Sequence, residues 1–261
     1  IVIDSVLQNC RPESQPRFVS ALLSHYVDPE TLDDDTAFTL LYAIRSLSPQ
    51  YYDDEMRENL ITFAAHFAKS SDPRLRIVSL LCLRDAQRPL PESSDQMSRI
   101  NEIAVNISSS YLTERYLRAS IMQQAGDPDA EEINLFYRQE VADDIFLDNL
   151  KTATPWISKV VGIELLQDQA KHGQVDNMLH ICTHFSNLVK VSERVVVRHA
   201  AGEALLSVLP LLRREQRNEV VVELGKGIEL GQADISKYIP DYLGHAILLL
   251  HPSELDEQVL D

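Results

Sequence analysis

The chain has 261 residues, of which 44% are hydrophobic and 25% charged, a globular profile and not that of a disordered chain. Acidic residues outnumber basic ones 40 to 24, for a formal net charge of −16, which argues against nonspecific nucleic-acid binding and anionic membrane surfaces. With only 8 Gly, the composition disfavours Gly-rich sandwiches, barrels and nucleotide folds and points to an all-helical protein, without naming a reaction.

Helical periodicity runs the length of the chain. It predicts helices over 1–9, 15–26, 35–47, 53–69, 73–86, 94–108, 111–125, 129–138, 140–152, 155–171, 174–190, 193–209, 214–230 and 235–250. The breaks carry local chemistry. Ser48-Pro49, Asp72-Pro73, Gly126-Asp127-Pro128 and Thr154-Pro155 place a capping residue or a proline at a boundary. Asp33-Asp34-Asp35, Asp53-Asp54-Glu55 and Glu131-Glu132 put negative charge in first turns, where the helix dipole favours it. Val195 to Val197 and Val220 to Val222 have strand-like composition. Each continues at helical spacing, so both are read as helix. No Pro/Gly/Ser linker divides the chain, and the loosest stretch, Arg88 to Asp95, is a loop. The chain opens Ile1-Val2-Ile3-Asp4 without the basic start of a signal peptide. Apolar runs such as Ala246 to Leu250 are far short of the roughly 20 residues of a membrane span. Cys10, Cys82 and Cys182 are read as free thiols of a reducing cytosol, with Cys82 and Cys182 inside apolar helical patterns. His251-Pro252-Ser253-Glu254 reads as a breaker, a cap and an acidic first turn, so a further helix is expected to begin there, with the chain a fragment of a longer protein.

A repeat underlies the pattern. Arg76, Arg115, Lys159, Arg198 and Lys237 recur at intervals of 39, 44, 39 and 39. Two residues after each comes Val78, Leu117, Val161, Ala200 or Ile239; six after comes Cys82, Ile121, Leu165, Ala204 or Leu243. Three after, the residue is usually small, as in Ser79, Gly162 and Ala201. A second amphipathic helix lies between successive copies, and a period near 40 with two helices per unit marks a helical solenoid. The stretch Ser192-Glu193-Arg194-Val195-Val196-Val197-Arg198-His199-Ala200-Ala201-Gly202-Glu203-Ala204-Leu205 resembles the second helix of a HEAT repeat, and Asp72 to Leu83 is the next best match. The chain therefore resembles the HEAT-repeat family, and more loosely the armadillo repeats, over roughly residues 30 to 250. Arg118 departs from the pattern where a small residue is expected and Gly244 where a large one is. Only Asp72 and Asp234 stand near the acidic position that often precedes the arginine. The resemblance implies an all-α, right-handed solenoid of stacked antiparallel helix pairs, with residues 1–261 as one domain of about five to six repeats and an elongated, curved surface.

Catalytic constellations are weak. His180 and His184 share a helix face at i and i+4, the spacing of a zinc pair, but no carboxylate completes HExxH, so an ordinary helix surface is favoured. No histidine is followed by Glu, which disfavours the His-Glu iron sites of some HEAT-like hydroxylases. Gly225-Lys226-Gly227 and Gly231 lack phosphate-loop spacing, and no GxSxG elbow is present. Asp143 and Asp144 diverge by about 100° on one helix, so they do not form an acid–base pair. HEAT-like DNA glycosylases need a basic groove, and residues 61–130, the least acidic segment, are only neutral.

No catalytic, cofactor or metal residue is assigned. The resemblance implies a cytoplasmic protein–protein interaction or scaffolding module. Its partners are a protein or peptide, basic ones among them, with neither nucleic acid nor membrane. Two alternatives remain: an accessory or regulatory domain of an enzyme, and a lyase or chaperone subunit, resembling HEAT-like bilin lyases, with a concave ligand pocket. On a 100° helical wheel the positions one, five and eight after the basic residue face away from the core set. They read Ile77, Leu81, Arg84; Tyr116, Ser120, Gln123; Val160, Glu164, Gln167; His199, Glu203, Leu206; and Tyr238, Tyr242, His245. The expectation is a groove floor in which Tyr116, Glu164, Glu203 and Tyr242 contact the partner.

Overall fold

Caps and apolar stripes divide the first half of the chain as the sequence predicts. The computed structural model describes residues 11, 14–25, 28–45, 52–91, 93–107, 109, 111–126, 130–172, 177–229 and 239–250. Among them, thirteen α-helices and two short 3-10 turns occur and no strand. The expected helices 1–9 and 252 onward, with Cys10, Lys237 and Tyr238, lie outside the described residues. The chain divides into two compact units, Ile1–Ile133 and Asn134–Asp261.

The first unit holds α1 (Gln15–His25), α2 (Asp34–Arg45), α3 (Asp54–Phe67), α4 (Pro73–Gln87), α5 (Asp95–Val105) and α6 (Leu112–Gln124). Each sharp start has its cap. The Asp53 carboxylate accepts from the Met56 amide at 2.7 Å, Asp72 from Arg74 at 2.8 Å and the Ser94 hydroxyl from Met97 at 3.1 Å. Alternate helices pack together, α1 on α3 on α5 and α2 on α4 on α6, while α3 pairs with α4 and α5 with α6. The boundary between the two units falls within the sequence of the short α7 (Ala130–Phe136).

The second unit holds α8 (Gln139–Leu150), α9 (Trp156–Lys171), α10 (Met178–Val191), α11 (Val195–Val208), α12 (Arg214–Glu229) and α13 (Ile239–Leu248). Both valine triplets are helical, in α11 and α12. Here α9, α11 and α13 form one row and α10 and α12 another, with α8 against α9, α10 against α11 and α12 against α13.

The structure gives the repeated basic residue a job. Arg76 Nη1 donates to the carbonyls of Ser70 and Ser71 at 2.8 and 2.9 Å, just past the end of α3. Arg198 Nε donates to the carbonyl of Ser192, the C-cap of α10. In both, a guanidinium six residues downstream satisfies an orphan helix-end carbonyl and closes the turn. Arg76 Nε also lies 3.0 Å from Glu114, whereas at Lys159 burial lowers the pKa and the charge of Glu193 opposes it. Val78, Leu117, Val161, Leu165 and Ala204 are buried as the register requires. Leu243 is only half-buried, on α13, which packs mainly on α11 and α12. Arg118, the misfit at a small-residue position, turns to Glu132 at 2.8 Å.

Candidate functional site

The four residues expected on the groove floor divide by burial. Tyr116, on α6, is 6% exposed. Glu164, on α9, is half-buried, and Glu203, on α11, is exposed. Tyr242, on α13, is 6% exposed. Its ring abuts Gly202, where an added Cβ would come within 2.3 Å of a ring carbon, and its hydroxyl is hydrogen-bonded to His199 Nδ1 at 2.6 Å. Burial, then Glu203 and Asp241, raise the Tyr242 phenol above its ordinary range, so it stays protonated. In the second unit Tyr242 therefore braces His199 and Glu203 from beneath, while Gln167 on α9 donates to Ser207 on α11.

In the first unit the same column needs correcting. Ile77, Leu81 and Arg84 on α4 are buried, not on an open floor. The wheel treats α4 as one-sided, but it has α2, α3, α5 and α6 packed around it. Eleven consecutive residues of α4, Ile77 to Gln87, are buried. Sequence reasoning also missed the ionic cluster beside it, in which Arg45 meets Asp85 at 3.3 Å and Arg57 Nη2 donates to the carbonyl of Tyr52 at 3.1 Å. The signal was the dense mixture of arginines and acids on otherwise apolar helices.

The histidine pair does not converge. His180 is exposed, whereas His184 is 8% exposed, packed on the Phe146 ring at 4.7 Å and hydrogen-bonded to Asn149 Nδ2 at 3.2 Å. Burial lowers the His184 imidazole to about 4, so it is neutral at physiological pH. No group of three or more His, Cys, Asp or Glu side chains capable of holding a metal occurs among the described residues. Cys82 and Cys182 are buried free thiols, and burial pushes the Cys182 thiol up to about 12, far from thiolate reactivity.

Clefts open in both units among the described residues. In the first unit, about 310 Å³ opens beside Lys69, Arg76, Tyr111 and Glu114. Its floor is the buried Arg76–Glu114 ion pair, 2.9 Å, with the Arg76 guanidinium over the Tyr111 ring. In the second unit, about 630 Å³ opens between α10 and α12, lined by Thr183, Glu215, Glu219, Val222, Glu223 and Lys226 among others.

No family model, no curated protein and no solved structure matches this chain. No described helix is long and apolar enough to cross a membrane.

Proposed function

We infer that this chain is a protein–protein interaction or scaffolding module, without catalytic activity of its own, built as a right-handed HEAT- or armadillo-like α-solenoid and working in the cytoplasm. The alternate-helix rows within each unit and the turn-closing roles of Arg76 and Arg198 support the repeat reading.

One observation carries the functional part. The α9–α11–α13 row holds Glu164, Asp168, Glu203 and Asp241, and its three basic residues, Lys159, Lys171 and Arg198, lie in the terminal turns of α9 and α11, so the stretches Val160 to Ala170, His199 to Val208 and Ile239 to Leu250 are acidic and contain no Lys or Arg. Glu203 and Asp241 are exposed. A row of that sign steers basic or extended protein segments and repels phosphates. Contact is assigned to Glu164 and Glu203. Tyr242 supports them by packing under α11, and Tyr116 supports α6 of its own unit from a buried position.

The test is a Glu164→Lys, Glu203→Lys double variant of the full-length protein. It should keep the wild-type circular dichroism and melting temperature, yet lose a partner that rebinds the wild type when both are purified. If the variant folds and retains every reconstituted partner at equal affinity, this row is not the contact surface.

A further inference from the structure

The cleft between α10 and α12 is not used by the row just described. Its volume, about 630 Å³, lies inside the roughly 300–1,000 Å³ range of sites that enclose a ligand. The α12 wall is a stripe at helical spacing. Glu215, Glu219 and Glu223 stand one turn apart, Val222 is half-buried among them, Arg214 and Lys226 mark the two ends, and Asn218 lies on the floor. The α10 wall offers Thr183, whose hydroxyl donates to the Leu179 carbonyl at 2.9 Å.

The chain itself shows how one position of this stripe takes a cation. Lys190 reaches across from α10 with its stem on Gly227, where a Cβ would come within 2.7 Å. Its Nζ lies 2.7 Å from Glu223 Oε1 and 3.3 Å from the Glu223 carbonyl, and Lys226 Nζ is 3.1 Å from Oε2. These two ammonium groups hold the Glu223 carboxyl below the usual carboxylate range. One and two turns earlier the carboxylate recurs as Glu219 and Glu215. There α10 presents Thr183 in place of a lysine, and neither carboxylate has a hydrogen bond or ion pair among the described residues. The cleft thus has the acid, the apolar ledge and the space for a cationic side chain, and among the described residues Lys190 and Lys226 supply cations at Glu223.

We propose that the α10–α12 cleft docks a lysine- or arginine-bearing segment of a partner protein, its cationic head between Glu215 and Glu219 and its stem along Val222 and Thr183. The reading of the chain as an interaction module supplies the protein nature of the partner; the surface is distinct from Glu164 and Glu203. Arg214 and Lys226 at the ends select a single cation with neutral or acidic neighbours over a uniformly basic stretch.

The test titrates N-acetyl-arginine amide, with N-acetyl-glutamine amide as control, into the isotopically labelled chain and follows backbone amide shifts. The arginine probe should shift amides at Thr183 and along Glu215 to Glu223 saturably, and the glutamine probe should not. A Glu215→Gln, Glu219→Gln variant, with both changes at exposed positions, should weaken binding by about tenfold or more. The Glu164→Lys, Glu203→Lys variant should leave it unchanged. Shifts scattered over every acidic surface, or equal binding by the Gln variant, would overturn the proposal. If arginine fills the cleft but no protein partner reconstitutes, the module reading fails and the cleft stands. If a partner reconstitutes and binds the Gln variant with unchanged affinity, the cleft fails and the module stands.

Discussion

Helices α4 and α11 occupy the same place in the repeat and meet different surroundings. Both start with an arginine that closes the preceding turn, Arg76 on Ser70 and Ser71 and Arg198 on Ser192. Both bury the positions two and six residues later, or half-bury them in the case of Ala200. Their outer columns then part. Ile77, Leu81 and Arg84 are buried, whereas His199 and Glu203 are exposed and Leu206 is half-buried. The repeat positions thus fix how a helix closes on its partner, and they leave open whether its far side meets protein or solvent. The first unit pays for its all-round burial of α4 with paired charges such as Arg45–Asp85 and Arg76–Glu114; the second relies on small residues such as Gly202.

The largest expected effect separates the two outer columns. Leu81→Ala should cost about 2–5 kcal/mol in urea unfolding, as a cavity in a packed core does. Glu203→Ala, its counterpart, should stay within about 0.5 kcal/mol. Similar costs at the two sites would erase the distinction.

The second effect is pH-dependent and confined to the second unit. Folded His184 titrates at about 4 against an ordinary 6.5, so the unfolded chain binds a proton that the folded one resists. Its contribution is fully present above pH 6.5 and is lost as pH falls toward 4, amounting to about 3 kcal/mol. The difference in stability between wild type and His184→Phe, followed from pH 7 to 4, should shift in the variant's favour by that order. A flat difference would mean that His184 has the same pKa in the folded and unfolded chain.

Gly202→Ala comes third. The new methyl meets the Tyr242 ring at 2.3 Å, and overpacking of this kind costs about 1–3 kcal/mol. Combined with Tyr242→Ala, the two losses should be clearly less than additive in a double-mutant cycle. Smallest is Gly244→Ala. Gly244 is exposed and nothing lies within 4 Å of its Cβ position, so the change should stabilise the chain by about 0.5–1 kcal/mol through helix propensity alone.

These contrasts also mark what the sequence made legible. Helix positions follow from periodicity and from caps such as Asp53, Asp72 and Ser94, which are local signals, and they agree with the structure to within a few residues. Val78, Leu117 and Val161 sit in the core because inner positions repeat. The outer column did not transfer between copies, since a wheel knows one helix and not the four that surround α4. Tyr242 was legible as aromatic and in register, but its burial depends on Gly202, forty residues away. The α10–α12 cleft was hidden for the same reason. Its logic lies in Lys190 pairing with Glu223 across 33 residues, whereas Thr183 stands where a second lysine would complete the stripe.

The most direct test of the account is thiol labelling of two single-cysteine reporters, Leu81→Cys and Glu203→Cys, each in a Cys10→Ser background where Cys82 and Cys182 are buried. The thiol at position 203 should react at nearly the rate of an unstructured peptide thiol. The thiol at position 81 should react only through unfolding, about a hundredfold slower or more. Comparable rates at the two positions, or protection at 203, would contradict the claim that one outer column is closed by packing and the other is open to solvent.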